Sequence, residues 1–363
     1  MDDSIRQKGI ELLKKCSQAH GAPGQESEVR RIFRKELGEG VRTDRAGNIF
    51  CEKRGDSDHP RILIPAHMDE VGLAVQAITE EGLLRFVALG GWWAHTLLAK
   101  RVRIRTVEGV EIPGVVGAKP PHFLSENERE KVMSIEEMFI DVGARDAAEV
   151  RTFGIGLGDA IVPDSSFTRM ANPDLLLSKA FDDRAGFSAV IQAALEMEKV
   201  SHPNTAVFAG TVQEEVGTRG ARAAAFSASP DLAIVVEGAP ADDLPGVGKQ
   251  ERQAAIGRGP QIRLMDQSAI LNREFVRFVV ETAEKNSIPY QLTVRRKGGT
   301  DAAPIHLHGS GVPTVVIAVP SRYIHTHNTI LDISDYLNTV KLLVKLIETI
   351  DEKVSERVGG FGN

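Results

Sequence analysis

Most of the chemistry this chain of 363 residues could perform lies in five short segments, widely separated along it. His67-Met-Asp69 follows the apolar run Arg61-Ile-Leu-Ile-Pro-Ala66, and Asp182-Asp183 opens an Ala- and Gly-rich stretch. Glu214-Glu215, Glu237 and His325 stand at or just past the ends of three further apolar runs. A neutral imidazole can give one ring nitrogen to a cation while an Asp two residues on accepts the other N–H and fixes the tautomer. Two adjacent carboxylates at a strand end repel each other and cost desolvation unless a cation compensates them. On extended chain, neighbours point opposite ways, so one of Glu214 and Glu215 can bind metal while the other faces a reacting water.

Each segment also has a plainer reading. These are a loop histidine beside an N-capping Asp, a helix cap at Asp182-Asp183, an exposed acidic turn at Glu214-Glu215, and an acid just past a strand at Glu237. His325 has a rival only two residues away in His327, and Asp301 of Gly298-Gly-Thr-Asp301 is as easily an N-cap as a substrate contact. Together, however, the segments supply two imidazoles and three carboxylates, with one Glu to spare. A lone catalytic zinc takes three protein ligands plus water. Five N/O donors suit two divalent ions roughly 3.5–4 Å apart sharing one carboxylate.

Such residues meet only if the fold gathers them. Runs 61–66, 205–213, 231–236 and 314–319 are near-continuously apolar, as strands of a sheet covered on both faces are. In an open α/β sheet the ligand crevice lies at the carboxyl ends of the strands, where these donors stand. Helices are expected for two N-terminal segments, for 182–200, for 218–228 and after an Asn272 cap. One long final helix is expected from the stripe Ile333, Leu337, Val340, Val344, Ile347 and Val354. Between 71 and 163, short alternating segments and Gly-containing turns predict small antiparallel β structure, with a helical interruption around 125–138. The expected organisation is an α/β catalytic domain in two parts, 1–70 and 164–363, interrupted by a β-rich domain at 71–163. The tail 359–363 reads as frayed.

Composition narrows the partners. Fifty acids and 44 bases are intermixed for a net charge of −6, so no basic block recommends nucleic acid. Cys16 and Cys51, with no CxxC pair, argue against a disulfide framework and a thiolate zinc site. The start MDDSIRQKG lacks the pattern of a signal peptide, and no apolar run reaches the roughly 20 residues that cross a bilayer. A cytoplasmic protein with no membrane partner is expected.

At the chemical segments the chain resembles the tetrahedral (TET) aminopeptidases, which include glutamyl and deblocking aminopeptidases. The motifs are Pro65-Ala-His-Met-Asp-Glu-Val-Gly72, Lys179-Ala-Phe-Asp-Asp-Arg-Ala-Gly186, Val212-Gln-Glu-Glu-Val-Gly217, Gly298-Gly-Thr-Asp-Ala302 and Arg322-Tyr-Ile-His325. The resemblance implies a phosphorylase/hydrolase-like catalytic domain with a mixed, largely parallel sheet and an inserted barrel-like dimerisation domain. It implies two divalent metal ions per subunit, Zn or Co foremost and Mn also acceptable. His67 and Glu237 would hold one, Glu215 and His325 the other, and Asp182 would bridge them before a cis peptide to Asp183. Asp69 would orient His67, and Glu214 would be the general base. Dimers assembling into a tetrahedral dodecamer, acting on short peptides, are implied too. The chain departs from the family at Glu237, where many relatives have Asp, at Trp92-Trp93-Ala94-His95, and in the His325-Thr-His327 pair.

The reaction expected is peptide hydrolysis at the N-terminal residue, with a metal-bridging water as nucleophile. An N-acyl amino acid deacylase could use the same site. A glycoside hydrolase fits poorly, because adjacent Glu214 and Glu215 cannot flank a sugar at the separations of about 5–9.5 Å which that chemistry needs.

Overall fold

A computed structural model describes residues 3–360. Four parallel strands form its centre, in the order Thr205–Thr211, Arg61–His67, Leu232–Pro240 and Thr314–Arg322. Every residue of Thr205–Thr211 is buried, as are all but the first of Arg61–His67. Such runs can lie only in a sheet covered on both faces. Antiparallel strands extend it: Ile49–Arg54 beside Thr205–Thr211, and Gln261–Met265 and Thr329–Asp332 beside Thr314–Arg322. The sheet is thus mixed but parallel where the acids and imidazoles stand.

The helix Phe181–Glu196 is buried around almost its whole circumference. It packs between the sheet and the helices Asp3–Gln18 and Ile333–Thr349, so small residues such as Ala185, Gly186, Ala189 and Ala193 let its neighbours come close. The expected single final helix is instead two. Ile333–Thr349 stops at Ile350, and Val354 belongs to a separate helix, Glu352–Gly359, capped by the Asp351 side chain. Asp351 accepts the N–H of Val354 and so starts a new helix rather than continuing the old one. Of the tail expected to fray, residues 361–363 lie outside the described residues.

Between Gly72 and Pro163 six antiparallel strands close into a barrel. Alternation decides which side chains fill it: in Leu83–Leu89, Leu84 and Phe86 point inward while Arg85 and Val87 point out, and in Arg101–Arg105, Val102 and Ile104 are buried. The interruption expected at 125–138 is only the short helix Glu126–Arg129 and one 3-10 turn, Ile135–Glu137. Among the described residues no helix is long and apolar enough to cross a membrane. Both cysteines are free and buried.

Candidate active site

His67 is the last residue of its strand, and its backbone N–H donates to Asp183 Oδ2 at 3.1 Å. Asp183 Oδ1 accepts the N–H of Gly186, so this second Asp both caps the buried helix and ties it to the strand end. Asp182, joined to Asp183 by a cis peptide, is thereby left facing the cleft. Glu237 lies within Leu232–Pro240, not past its end as the apolar run suggested, because pairing with Thr314–Arg322 carries the strand on to Pro240. Gly238 makes this possible. A Cβ there would come within 2.4 Å of the Phe181 carbonyl oxygen and 2.8 Å of Asp182 Cα, so only glycine lets the strand pass the Asp182 turn.

Glu214 and Glu215 are not on extended chain. Their strand ends at Thr211, Gln213 takes a left-handed conformation (φ 56°), and the two glutamates form a turn. The Asp69 carboxylate holds that turn, accepting the N–H of Glu214 at 3.0 Å and of Glu215 at 3.1 Å. The ring of His67 finds its acceptor in the Asp69 carbonyl oxygen, 3.1 Å from Nδ1, with the Asp69 carboxylate at 3.5 Å. Since a carbonyl only accepts, Nδ1 carries the proton and Nε2 is directed at the cleft.

His325 repeats this arrangement. Its Nδ1–H donates to the carbonyl oxygen of Gly91 at 2.8 Å, a residue that follows the barrel strand Leu83–Leu89. A side chain at Gly91 would crowd the imidazole, its Cβ coming to 3.1 Å from Nδ1. His327 is placed elsewhere. It is buried against Trp92 with both ring nitrogens unpartnered among the described residues, and burial lowers its pKa to about 4, so it is a neutral packing group.

The donors converge on Asp182. His67 Nε2 lies 3.2 Å from Asp182 Oδ1 and 3.2 Å from Glu237 Oε1, while His325 Nε2 lies 3.3 Å from Asp182 Oδ2 and 3.4 Å from Glu215 Oε2. His67, Asp182 and Glu237 form one triad of donor atoms within 4.8 Å of one another; Asp182, Glu215 and His325 form another. Glu214 stands beside them, its Oε2 3.9 Å from His67 Nε2. Asp301, buried and accepting from Thr211 Oγ1, has no partner among the described residues for its other oxygen; it stands at the N-cap position of the short helix that follows, but its side chain makes no capping bond.

Charge is unbalanced here. Burial raises Glu214 and Glu237, and takes Glu215 to about 8 and Asp301 to about 7. Burial also opposes charge on the imidazoles, but Glu237 and Asp182 hold His67 well above its ordinary range, and Glu215 and Asp182 carry His325 to about 10. Asp182 is lowered despite its burial, because both imidazoles bond to it. Protons thus collect where positive charge is wanted. Oε1 of Glu215 has no hydrogen-bond partner among the described residues, and Oε1 of Glu237 has only the His67 ring beside it, at 3.2 Å. Buried carboxylate oxygens without donors, imidazole nitrogens turned inward and an all-N/O donor set together fit two divalent cations sharing Asp182.

A buried ion cluster secures the two ligand-bearing loops. Glu70 accepts from Lys179 Nζ at 2.5 and 2.7 Å and from Arg184 at 3.3 Å, and all three side chains are essentially inaccessible to solvent. In sequence the only sign of it is that these charges sit inside the His67 and Asp182 segments.

The profile of the M42 glutamyl aminopeptidase family matches residues 47–342. The glutamyl aminopeptidase of Lactococcus lactis subsp. cremoris is 34% identical over 353 residues, spanning 96% of this chain and 98% of the relative. Among solved structures, the TET aminopeptidase of a marine-sediment Thaumarchaeota archaeon superposes with a TM-score of 0.93 at 39% identity, over 98% of this chain and 99% of that one. The Pyrococcus horikoshii TET1 peptidase, which can assemble into a tetrahedron or a large octahedral shell, does so with a TM-score of 0.85 at 34% identity, over 94% and 100%.

Proposed function

The chain belongs to the M42 glutamyl aminopeptidase family and is an aminopeptidase; on that premise we propose that two divalent cations sit either side of Asp182 and that Glu214 is the general base. One observation carries this reading: the two oxygens of a single carboxylate each face a different imidazole, and each imidazole has a further glutamate beside it. His67 and Glu237 would hold one ion and Glu215 and His325 the other. Zn and Co suit such donors best, with Mn acceptable.

When bound, the cations would lower the pKa of a water between them toward about 7 and polarise the scissile carbonyl. Glu214 takes the proton of the attacking water and delivers it to the departing amine. Asp69 keeps Glu214 and Glu215 in register with His67, and Gly91 aims His325. The substrate's cationic α-amine is drawn by the carboxylate-rich cleft.

The same reading includes self-association into dimers through the barrel, built up to a dodecamer. Two features support it: TET1 of P. horikoshii assembles into closed shells, and Trp93 (65% exposed) and Phe123 (72%) stand out from this region.

The test compares a free-amine aminoacyl anilide with its N-acetylated form, using chelated protein and protein reconstituted with Zn, Co or Mn. Two ions per chain, restored hydrolysis of the free amine and inert acetylated substrate are expected. Preference for the acetylated form would make the enzyme a deacylase. Light scattering gives the assembly size, and a monomer at micromolar concentration would reject the oligomer.

A further inference from the structure

The turn that carries Glu214 is held on its amide side by side chains from three separate segments. The N–H of Val212 donates to Asn48 Oδ1 at 3.0 Å, and that of Gln213 to Glu26 Oε1 at 3.2 Å. The N–H groups of Glu214 and Glu215 go to the two oxygens of Asp69. Gln213 turns the chain in its left-handed conformation (φ 56°), and a residue other than glycine stays there only where its surroundings fix it. Glu26 supplies that constraint. It is buried, and the oxygen that faces Gln213 also accepts the N–H of Gly24 at 2.7 Å, so the carboxylate is held from both sides. The loop leading to it is anchored as well. Arg184 donates to the carbonyl oxygens of Ala19 and Gly21, Lys179 to that of Ala19, and the Glu70 N–H to that of Gly21. One short segment, 19–26, thus connects the two residues that flank the Asp182 turn with the turn of Glu214.

From this geometry we infer that Glu26 is a positioning residue for the reaction: by accepting the Gln213 N–H it fixes the backbone from which Glu214 projects. This rests on the reading of Glu214 as the general base. Glu26 does not line the cavity beside the carboxylate cluster, and it acts through the peptide group of Gln213. Without that acceptor the Gln213 N–H loses its partner, and the strained turn relaxes and carries Glu214 with it. Proton transfer needs the base within about 2.6–3.2 Å of the proton it takes. A shift of about 1 Å therefore slows the reaction while leaving the substrate's own contacts in place. What Gln213 requires is an acceptor oxygen at this point, which a glutamine amide also offers and a leucine does not.

Glu26→Leu, Glu26→Gln and Glu26→Asp are compared with Glu214→Gln by steady-state hydrolysis of a free-amine aminoacyl anilide, and ion content is measured on each metal-reconstituted protein. Glu26→Leu should lose about 10- to 100-fold in kcat with KM within about twofold of the parent enzyme and two ions still bound. Glu26→Gln should recover most of that kcat, because it keeps the acceptor oxygen. Glu26→Asp keeps the charge but draws the oxygen back by one methylene. It too should lose kcat at unaltered KM, which carries the test should Glu26→Leu fail to fold. An unchanged kcat in either variant overturns the inference, as does a loss expressed in KM alone. So does a Gln variant as slow as the Asp variant, and so does loss of an ion, which would place the effect at Glu215. Near-normal turnover in Glu214→Gln would bring down the reading of the base and this inference with it.

Discussion

The carboxylate of Asp69 accepts the backbone N–H of Glu214 at 3.0 Å, joining the end of one parallel strand to the turn that follows its neighbour. Its second oxygen accepts the N–H of Glu215, and its carbonyl oxygen receives the His67 ring. One residue therefore sets three others. Asn at this position offers one acceptor oxygen and a pair of donors, so one of the two N–H groups would face another donor. Asp69→Asn should lower kcat about 10- to 100-fold with a smaller effect on KM. Steady-state kinetics at saturating metal check this, and an unchanged kcat refutes the role.

Glu214→Gln removes the group that moves the proton while keeping its shape. Turnover should fall by about 10²- to 10⁴-fold, with two ions still bound and an unaltered circular dichroism spectrum. Near-normal turnover would assign the base elsewhere.

His325 and His327 are two residues apart and should behave oppositely. His325→Ala removes a donor from the triad with Asp182 and Glu215, so metal analysis should find about one ion per chain in place of two. His327→Phe keeps an aromatic ring against Trp92 and should leave the ion count unchanged. Loss of an ion in the second variant would reverse the assignment.

Cation binding should be linked to proton release. Glu215 is raised to about 8 by burial, and His325 to about 10 by Glu215 and Asp182 against its burial, so near neutral pH both hold protons in the ion-free cleft. Ligation needs them deprotonated, hence affinity should rise as pH increases through 8 toward 10 and fall in acid. Calorimetry in buffers of different ionisation enthalpy measures the protons released. Affinity independent of pH over this range would contradict the donor set.

Glu70 is shared by two buried cations, so its neutralisation leaves charge without a counterion. Glu70→Gln should cost about 3–5 kcal/mol of stability, read from urea unfolding of the ion-free protein. A loss below about 1 kcal/mol would show that the cluster relaxes freely.

Several features were open to reading before any fold was known, because they are local. An unbroken apolar run such as Ile62 to Ala66 requires a strand covered on both faces, and an acid or imidazole at its end must lie at the sheet's carboxyl edge. Alternation in Leu83–Leu89 and Arg101–Arg105 is equally local and marks antiparallel strands. The parallel order that brings Glu214, His67, Glu237 and His325 side by side, by contrast, comes from pairing between distant strands. So does the choice of His325 over His327, since only the packed barrel offers the Gly91 carbonyl to one ring and Trp92 to the other. The turn at Glu214-Glu215 and the stop before Asp351 depend on Asp side chains that compete with continued strand or helix for backbone N–H groups. A hydrogen bond between residues 145 apart leaves no periodic trace in the chain, and only the folded arrangement reveals it.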